Sequence, residues 1–437
     1  MTTVHGAASR CSCALATVAF ALLPGTAESA GFQIVPQNGS GLGNAYAGAA
    51  ATREEPGAMF FNPAALAWIH GRQVSLGVAR FDASSSFSDE GSVAPGPGPF
   101  TRPLTGNGRD PGTTSYIPSG YFSMPLTRQV TIGLGLSSPF GLSTEYEPGW
   151  RGQFLALKSE IRSYDINPAV GVRISERLSI GAGVSRQRLD AALTQAVNAF
   201  VFGPPDSAFR VRGHSLAWGY NLGAQYQPMP RLTLGTAYRS SVRHEIKGNY
   251  AFDPGTPPPI VLGAGLPSAT GPAKVDLKLP ETYTFAAAWR ANDRWELLAD
   301  GTRTGWSSAK EQRVQFPNGA ADQVTAFNWR STWRVSVGAN YRLNDQWTLR
   351  GGIAFDRSPV PDDTRSPRLP GEDNVIVAFG ARVQLSSMFT LNAGYTYVHS
   401  RDAHVSYSAG NPVANGTLNG SYKSHLNIIG AHLTAAF

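Results

Sequence analysis

Few side chains in this 437-residue chain combine the types and spacings that covalent chemistry needs. His214-Ser215, His399-Ser400 and His404 could supply the base and nucleophile of a hydrolase. A triad also needs a carboxylate at the same rim, and neighbours in sequence do not make one. Cys11 and Cys13 are the only cysteines, and both lie near the N-terminus, so thiolate catalysis, thiolate metal sites and disulfides are not expected beyond it. The Gly39-x-Gly41-x-Gly43 run follows no strand and leads to no Lys-Ser/Thr, so it is not a phosphate loop. What remains is a set of charges at alternating positions: Arg173, Arg239, Arg290, Arg334, Arg350 and Arg382, with Asp165, Glu296, Asp300 and Asp356. Such residues either form a lattice of ion pairs or present an arginine to a ligand carboxylate. The chemistry expected is recognition, with no enzyme activity, cofactor or metal.

Those charges need a scaffold that alternates, and the chain supplies one from residue 73 onward. In 215–226, Leu216, Trp218, Tyr220, Leu222, Ala224 and Tyr226 share one face, and Ala217, Gly219, Asn221, Gly223 and Gln225 share the other. Period two is a strand between an apolar and a polar medium. The same split recurs around Leu232–Arg239, Trp333–Tyr341 and Phe389–Tyr397. Very short connections, such as Thr127-Arg128, Glu176-Arg177 and Asn292-Asp293, alternate with long ones near 86–114, 140–158, 192–213, 253–273, 317–327, 360–373 and 401–420. Aromatics at strand ends and this asymmetry of loops mark an outer-membrane barrel rather than a soluble sandwich. The segments predict an all-β fold: a fourteen-stranded antiparallel transmembrane β-barrel over 73–437. Its strands fall near 73–85, 115–126, 129–139, 159–175, 178–191, 214–227, 232–252, 274–291, 294–316, 328–343, 347–359, 374–385, 388–400 and 421–437. With 15% charged residues and scattered basic positions, the net charge of +7 does not indicate nucleic-acid binding.

The N-terminal part does not alternate. Arg10 precedes the apolar run Cys13–Leu23, Pro24-Gly25 breaks it, and small residues follow. This pattern is a signal peptide over 1–29, cleaved after Ser29 or Ala27, and the run is too short for a spanning anchor. Residues 30–72 then read as a plug, or hatch, with short helices. The run is rich in glycine and alanine, Asn62 suits a helix N-cap, and Pro63 suits the first position of a helix reaching about Ile69. As a free tail the segment would expose Phe60, Phe61, Leu66, Trp68 and Ile69. Inward strand positions are correspondingly small, with glycine at 133, 171, 181, 223, 235, 338, 352, 380 and 394.

Two long loops are unusually apolar, one with Phe200 and Phe202 near Phe209, the other over 257–262 with Leu266. They form a greasy entry groove, a lid of loops packed on one another, or both. In the third strand, Pro139 and Gly141 mark either a kink that leaves a gap in the wall or the strand's end. Candidate ligand contacts are Phe32, Ile34, Phe60, Phe61, Phe140, Leu142, Phe200, Phe202, Arg239, Arg334 and Arg350. Phe437 closes an alternating last strand, as a signal read by outer-membrane insertion machinery would.

Several stretches together resemble the FadL family of outer-membrane transporters of long-chain fatty acids and other hydrophobic compounds. They are Ala30-Gly-Phe-Gln33, Ser40-Gly-Leu-Gly-Asn-Ala-Tyr-Ala-Gly48, Asn62-Pro63-Ala64, Ser138-Pro-Phe-Gly-Leu-Ser-Thr-Glu-Tyr146, Leu279-Pro-Glu281, Trp306-Ser307 and Gly352–Pro361. The resemblance spans essentially the whole chain after the leader. It implies a fourteen-stranded barrel, a hatch carrying Asn62, Pro63 and Ala64, and a lateral opening at a kinked third strand, here Ser138, Pro139 and Gly141. It also implies passive transport of a hydrophobic ligand captured at a loop groove. The expected surroundings are outer-membrane lipids and lipopolysaccharide, for a monomer. Leu369-Pro-Gly-Glu-Asp-Asn-Val-Ile376 lacks the arginine and aromatic residue that members often carry there. Arg186 and Arg188 share the parity of the outward set Ile180, Ala182 and Val184. No basic residue is thereby assigned to a carboxylate, and fatty acid and neutral aromatic hydrocarbon both stand as ligands. A general porin or adhesin is the competing non-enzymatic reading.

Overall fold

The alternating segments close into a wall of fourteen antiparallel strands, seen in a computed structural model that describes residues 31–96, 105–198, 207–253, 266 and 268–437. The wall strands are β1 Gln73–Asp89, β2 Thr114–Pro125, β3 Val130–Ser137 resuming as Gly141–Glu145, β4 Lys158–Arg173, β5 Leu178–Val197 and β6 Ser207–Met229. They continue as β7 Leu232–Arg239 with Val242–Phe252, β8 Thr270–Leu279 with Thr282–Arg290, and β9 Trp295–Thr304 with Glu311–Gln315. The last are β10 Thr332–Arg342, β11 Trp347–Asp356, β12 Asn374–Gln384, β13 Phe389–Ser400 and β14 Leu418–Ala436. Each pairs with its sequence neighbour, and β1 pairs with β14 from Gln73↔Ala436 to Asp89↔Gly420, so the wall closes on itself. Closure pairs the strands' backbones within lipid, where an open sheet edge would strand its polar groups.

Parity decides which side of the wall each residue meets. Trp218, Phe285, Val337, Phe379 and Ile429 face outward and are exposed, while Ser185, Asn221, Ser336 and Asn392 face inward and are buried. Arg186 and Arg188 do face outward, as their parity indicates: Arg186 lies over Trp218 at 5.5 Å, and Arg188 pairs with Asp190 at 3.0 Å.

Several boundaries differ from the sequence reading, and the expected loops 317–327 and 401–420 contain the short strands Gln323–Ala326 and Ala403–Tyr407. Much of the expected loop 192–213 is strand, because β5 runs to Val197 and β6 begins at Ser207. Above the membrane an outward arginine faces water, so the ladder can continue where the apolar pattern stops. The expected helix after Asn62 is a 3₁₀ helix, Pro63–Trp68. Phe200, Phe202, the 257–262 run and the signal segment lie outside the described residues.

Residues 31–69 lie inside the barrel against inward positions of the wall. Two helical turns, α1 Gly39–Leu42 and α2 Ala58–Phe61, precede the 3₁₀ helix, and most of the segment is buried. The inward glycines mark its footprint. A Cβ on Gly352 would lie 2.1 Å from the Asn44 carbonyl oxygen, one on Gly235 2.1 Å from that of Ala50, and one on Gly181 2.4 Å from the Ala64 nitrogen. Wall and plug backbones therefore meet at distances only glycine permits.

Candidate functional site

The plug is held by its own capping residues and by arginines from the wall. The Asn62 Oδ1 accepts from the Ala64 N–H at 3.0 Å and caps the 3₁₀ helix. Its Nδ2 donates to the carbonyls of Ala50 at 2.8 Å, Ala224 at 3.0 Å and Thr236 at 3.3 Å. One side chain thus ends one turn, ties off another and reaches two wall strands. Asn62→Ala should loosen the plug by about 2 kcal/mol, from a lost cap and lost wall bonds. Hydrogen exchange of amides 64–69 would report it, and unchanged protection would refute the anchoring role.

The inward arginines meet the plug at its carbonyls. Arg350 donates to Ser40 O at 2.6 Å and pairs with Glu54. Arg334 donates to Ala45 O at 2.6 Å, Arg173 to Ala67 O at 2.8 Å, and Arg239 to Phe60 O at 2.9 Å. The Arg239 guanidinium also lies over the Phe60 ring at 4.4 Å and 3.7 Å from Asp165. Burial of Glu54 opposes its ionisation, but Arg350 and Arg382 outweigh this and hold it below its ordinary pKa.

Between plug and wall lies a cavity of about 70 Å³. Ile34, Tyr46, Phe60, Phe61 and Trp306 form its apolar side. Arg239, Arg334, Asp300, Asp356 and threonines of β8 and β9 form the other. The lining carries as many carboxylates as guanidiniums. Ile34, Phe60, Phe61, Arg239 and Arg334 of the candidate contacts thus come together at one place, while Arg350 stands apart beneath α1. Phe32, Phe140 and Leu142 belong to an adjoining apolar cluster that reaches the loops. In it, Phe32 lies 5.0 Å from Trp306, 5.8 Å from Trp329 and 5.9 Å from Phe140. Gly31 makes this approach possible, with φ at 79° and its Cβ position 2.6 Å from the Trp306 ring.

Trp306, Trp329 and Tyr46 were not singled out as contacts from the sequence. The usable signal is that Trp306 follows, at the same parity, the inward positions Leu298, Asp300 and Thr304, in a turn just past the strand's end.

The third strand is kinked rather than ended at Pro139. It stops at Ser137, resumes at Gly141, and both halves pair with β4. Its pairing with β2 ends at Gly120↔Leu136, although β2 runs on to Thr114 against β1. Among the described residues, no ladder pairing joins β2 to the outer half of β3, Gly141–Glu145. A cavity of about 30 Å³ there is lined from both faces of the wall, by outward Tyr116, Pro118 and Tyr164 and by inward Ile34 and Phe140.

The kinked backbone still has to satisfy its polar groups. The plug does much of this. Ile34 N–H donates to Pro139 O at 2.8 Å, and Gly141 N–H donates to Phe32 O at 2.9 Å. The Gln37 side chain accepts from Ser138 N–H at 3.2 Å and donates to Ser138 O at 2.8 Å. Ser163 serves Phe140, whose N–H reaches the hydroxyl at 2.8 Å. Residues 32–37 thus bond to the interrupted stretch of β3 from inside the barrel.

Known proteins share this architecture. The family model described as outer membrane protein transport protein (OMPP1/FadL/TodX) matches residues 20–437. The long-chain fatty acid transport proteins of Salmonella typhi and Escherichia coli K12 are 27% and 26% identical, each over 89% of this chain and 92% of the relative. The crystal structure of a Pseudomonas aeruginosa FadL homologue superposes with a TM-score of 0.85 at 27% identity, over 93% of this chain and all of the other. The Ralstonia pickettii toluene transporter TbuX shares the fold at a TM-score of 0.65 and 18% identity, over 93% and 99% of the two chains. With closed wall, inner plug and whole-length match in agreement, this chain belongs to the OMPP1/FadL/TodX family of outer-membrane transport proteins.

Proposed function

We propose that the protein carries long-chain fatty acids or comparable hydrophobic molecules passively through the Gram-negative outer membrane, from a loop groove past the plug to a breach at β3. The observation that carries this reading is the latch: an interruption of the wall whose polar groups are met by residues 32–37 of the plug. A fixed seal would not need a kink, whereas a gate needs a segment able to leave. The likeness to long-chain fatty acid transport proteins over most of both chains supports the substrate class.

Cavity size supports a moving plug. The space of about 70 Å³ is well below the roughly 300–1,000 Å³ of ordinary small-molecule sites. A long acyl chain must displace side chains or the plug itself to enter. Ile34, Phe60 and Phe61 would then line its apolar part, with Phe32, Phe140 and Leu142 along the way to the breach and Phe200 and Phe202 at the outer groove. Arg239 and Arg334 would meet a carboxylate once plug carbonyls release them, and Arg350 with Glu54 would retain the inner end of the plug. Asn62, Pro63 and Ala64 hold the plug's fold, and Ser138, Pro139 and Gly141 form the lateral exit.

In this reading residues 1–29 are a cleaved leader, 30–72 the plug and 73–437 the barrel. The protein works as a monomer amid phospholipid and lipopolysaccharide, inserted by machinery that reads Phe437. A second reading, uptake of neutral aromatic hydrocarbons, is favoured by the charge balance of the lining, where Asp300 and Asp356 offset Arg239 and Arg334.

Uptake of labelled long-chain fatty acid and of labelled toluene, by cells lacking their own transporter, separates the two. Fatty acid uptake above the empty-vector level supports the first reading, and toluene uptake alone supports the second. Replacing Pro139 and Gly141 with valine, to rebuild a continuous strand, is expected to cut uptake severely while the barrel still assembles. Unchanged uptake would remove the lateral route.

A further inference from the structure

The outward face of β4–β8, just above the lipid belt, carries a basic depression that neither the wall's closure nor transport requires. The register lays it out in rows. Ile166, Arg186 and Trp218 are cross-strand partners, and Ile166 and Trp218 are 49% and 66% exposed, as lipid-facing residues are. The next row outward is Tyr164, Arg188 and Leu216. Above it Arg162, Asp190, His214, Lys247 and Lys274 align, and above these Glu160, Ala192, Arg212, Asn249 and Pro272. His214 lies two residues outward of Leu216, about 7 Å along the strand. The charges therefore begin where hydrocarbon gives way to headgroups.

The face is concave. Arg162, Asp190, Arg210, Arg212, His214 and Lys247 border a depression of about 770 Å³. Some of its cations already have partners: Arg162 pairs with Glu160, Lys247 with Glu245 at 2.9 Å, and Arg210 with Asp253 at 3.4 Å. Arg212 is exposed, and among the described residues no carboxylate pairs with it. Arg186 lies over Trp218, which lifts its charge along an aromatic face toward the same level. Cations exceed carboxylates across the depression, and below it Ile166, Leu216 and Trp218 offer apolar surface on either side of Arg186 and Arg188.

We infer that this face binds the phosphorylated, acylated glycolipid of the outer leaflet, with its phosphates held by Arg212, Arg210 and Lys247 and its acyl chains lying on Leu216, Trp218 and Ile166. The inference deepens the proposed lipopolysaccharide surroundings by giving them a site. It rests on the outer-membrane location and does not depend on what the barrel transports. Guanidinium and phosphate match in geometry as well as charge, and the site spans several strands, as a headgroup bearing separated phosphates requires. A soluble protein partner fits less well, because the depression borders lipid-facing Leu216, Trp218 and Ile166.

The test uses the folded full-length barrel in non-ionic detergent and counts bound lipid by native mass spectrometry. The probes are lipid A, the same lipid stripped of phosphate, and inorganic phosphate as competitor. Wild-type protein should retain lipid A and bind the stripped lipid far less. Arg212→Glu with Lys247→Glu should weaken retention at least about tenfold, since each cation near such a surface contributes on that scale. The Arg212→Gln, Lys247→Gln pair should give a smaller loss, and Lys423→Glu, on the outward face of β14, none. Heat-modifiable gel mobility verifies folding for each variant. Equal binding of stripped lipid, undiminished retention by the folded double variants, or full displacement by inorganic phosphate overturns the inference.

Discussion

With Gln33→Cys and Phe140→Cys combined, uptake is expected to fall under oxidising conditions to that of cells without the barrel, and to return on reduction. The two positions form an antiparallel bridge between plug and kink. The bonds from Ile34 N–H to Pro139 O and from Gly141 N–H to Phe32 O flank the pair, which makes it non-hydrogen-bonded. Such pairs hold their Cα atoms about 4.5 Å apart, within the range a disulfide spans. Cys11 and Cys13, the only native cysteines, lie within the expected leader and would not compete. The crosslink adds nothing to the closed arrangement except permanence. If transport needs residues 32–37 to leave the breach, the oxidised protein is shut. The reduced double variant is the proper reference, since Phe140→Cys alone trims the cluster of Phe32, Trp306 and Trp329. Oxidised protein that still transports, with the disulfide verified by mass, would eliminate the latch as a gate.

How far this latch could be read from the sequence shows what periodicity encodes. Side-chain parity along a strand is local, so the inward arginines, the outward Arg186 and Arg188, and the glycine footprint of the plug were all legible. At Pro139 the sequence leaves a kink and the strand's end both open, because proline acts on its own backbone and does not say whether pairing resumes beyond it. The partners across the lumen were not legible. Gln37 reaches Ser138 across 101 positions, and Arg350 meets Ser40 across 310. Those pairings are set by how the closed wall seats the plug, and no spacing in the chain records it. The same holds for Trp306, visible as an inward tryptophan but without a partner until Phe32 is placed beside it. The long reach of β5 and β6 was hidden for another reason. Their outer ends leave lipid, so charged residues replace the apolar half of the pattern while the ladder continues.

Deleting residues 31–69 is expected to turn a nearly silent barrel into one that conducts ions steadily in planar bilayers. The lumen at plug height carries glycine, serine, asparagine and arginine beside an apolar patch of Phe81, Ile117, Ile376, Leu426 and Ile428, so water replacing the plug wets a mixed wall whose backbone stays paired. Arg334 and Arg350 would lose carbonyl partners but gain hydration, so the wall itself should remain folded. Point variants ask the same question more gently. A valine at Gly352 or Gly235 would drive a side chain into the backbone at Asn44 or Ala50. Neither segment can retreat freely: Arg334 holds Ala45 O, and Asn62 holds Ala50 O. Overpacking of this kind costs about 1–3 kcal/mol, enough to unseat part of a plug but not to unfold a closed barrel. Intermittent openings are therefore expected for the valine variants and sustained current for the deletion. A deletion variant that assembles yet stays closed would mean that the loops, rather than residues 31–69, seal the pore. The difference matters for mechanism, because loops can seal against ions while leaving the breach at β3 open, whereas the plug closes both at once.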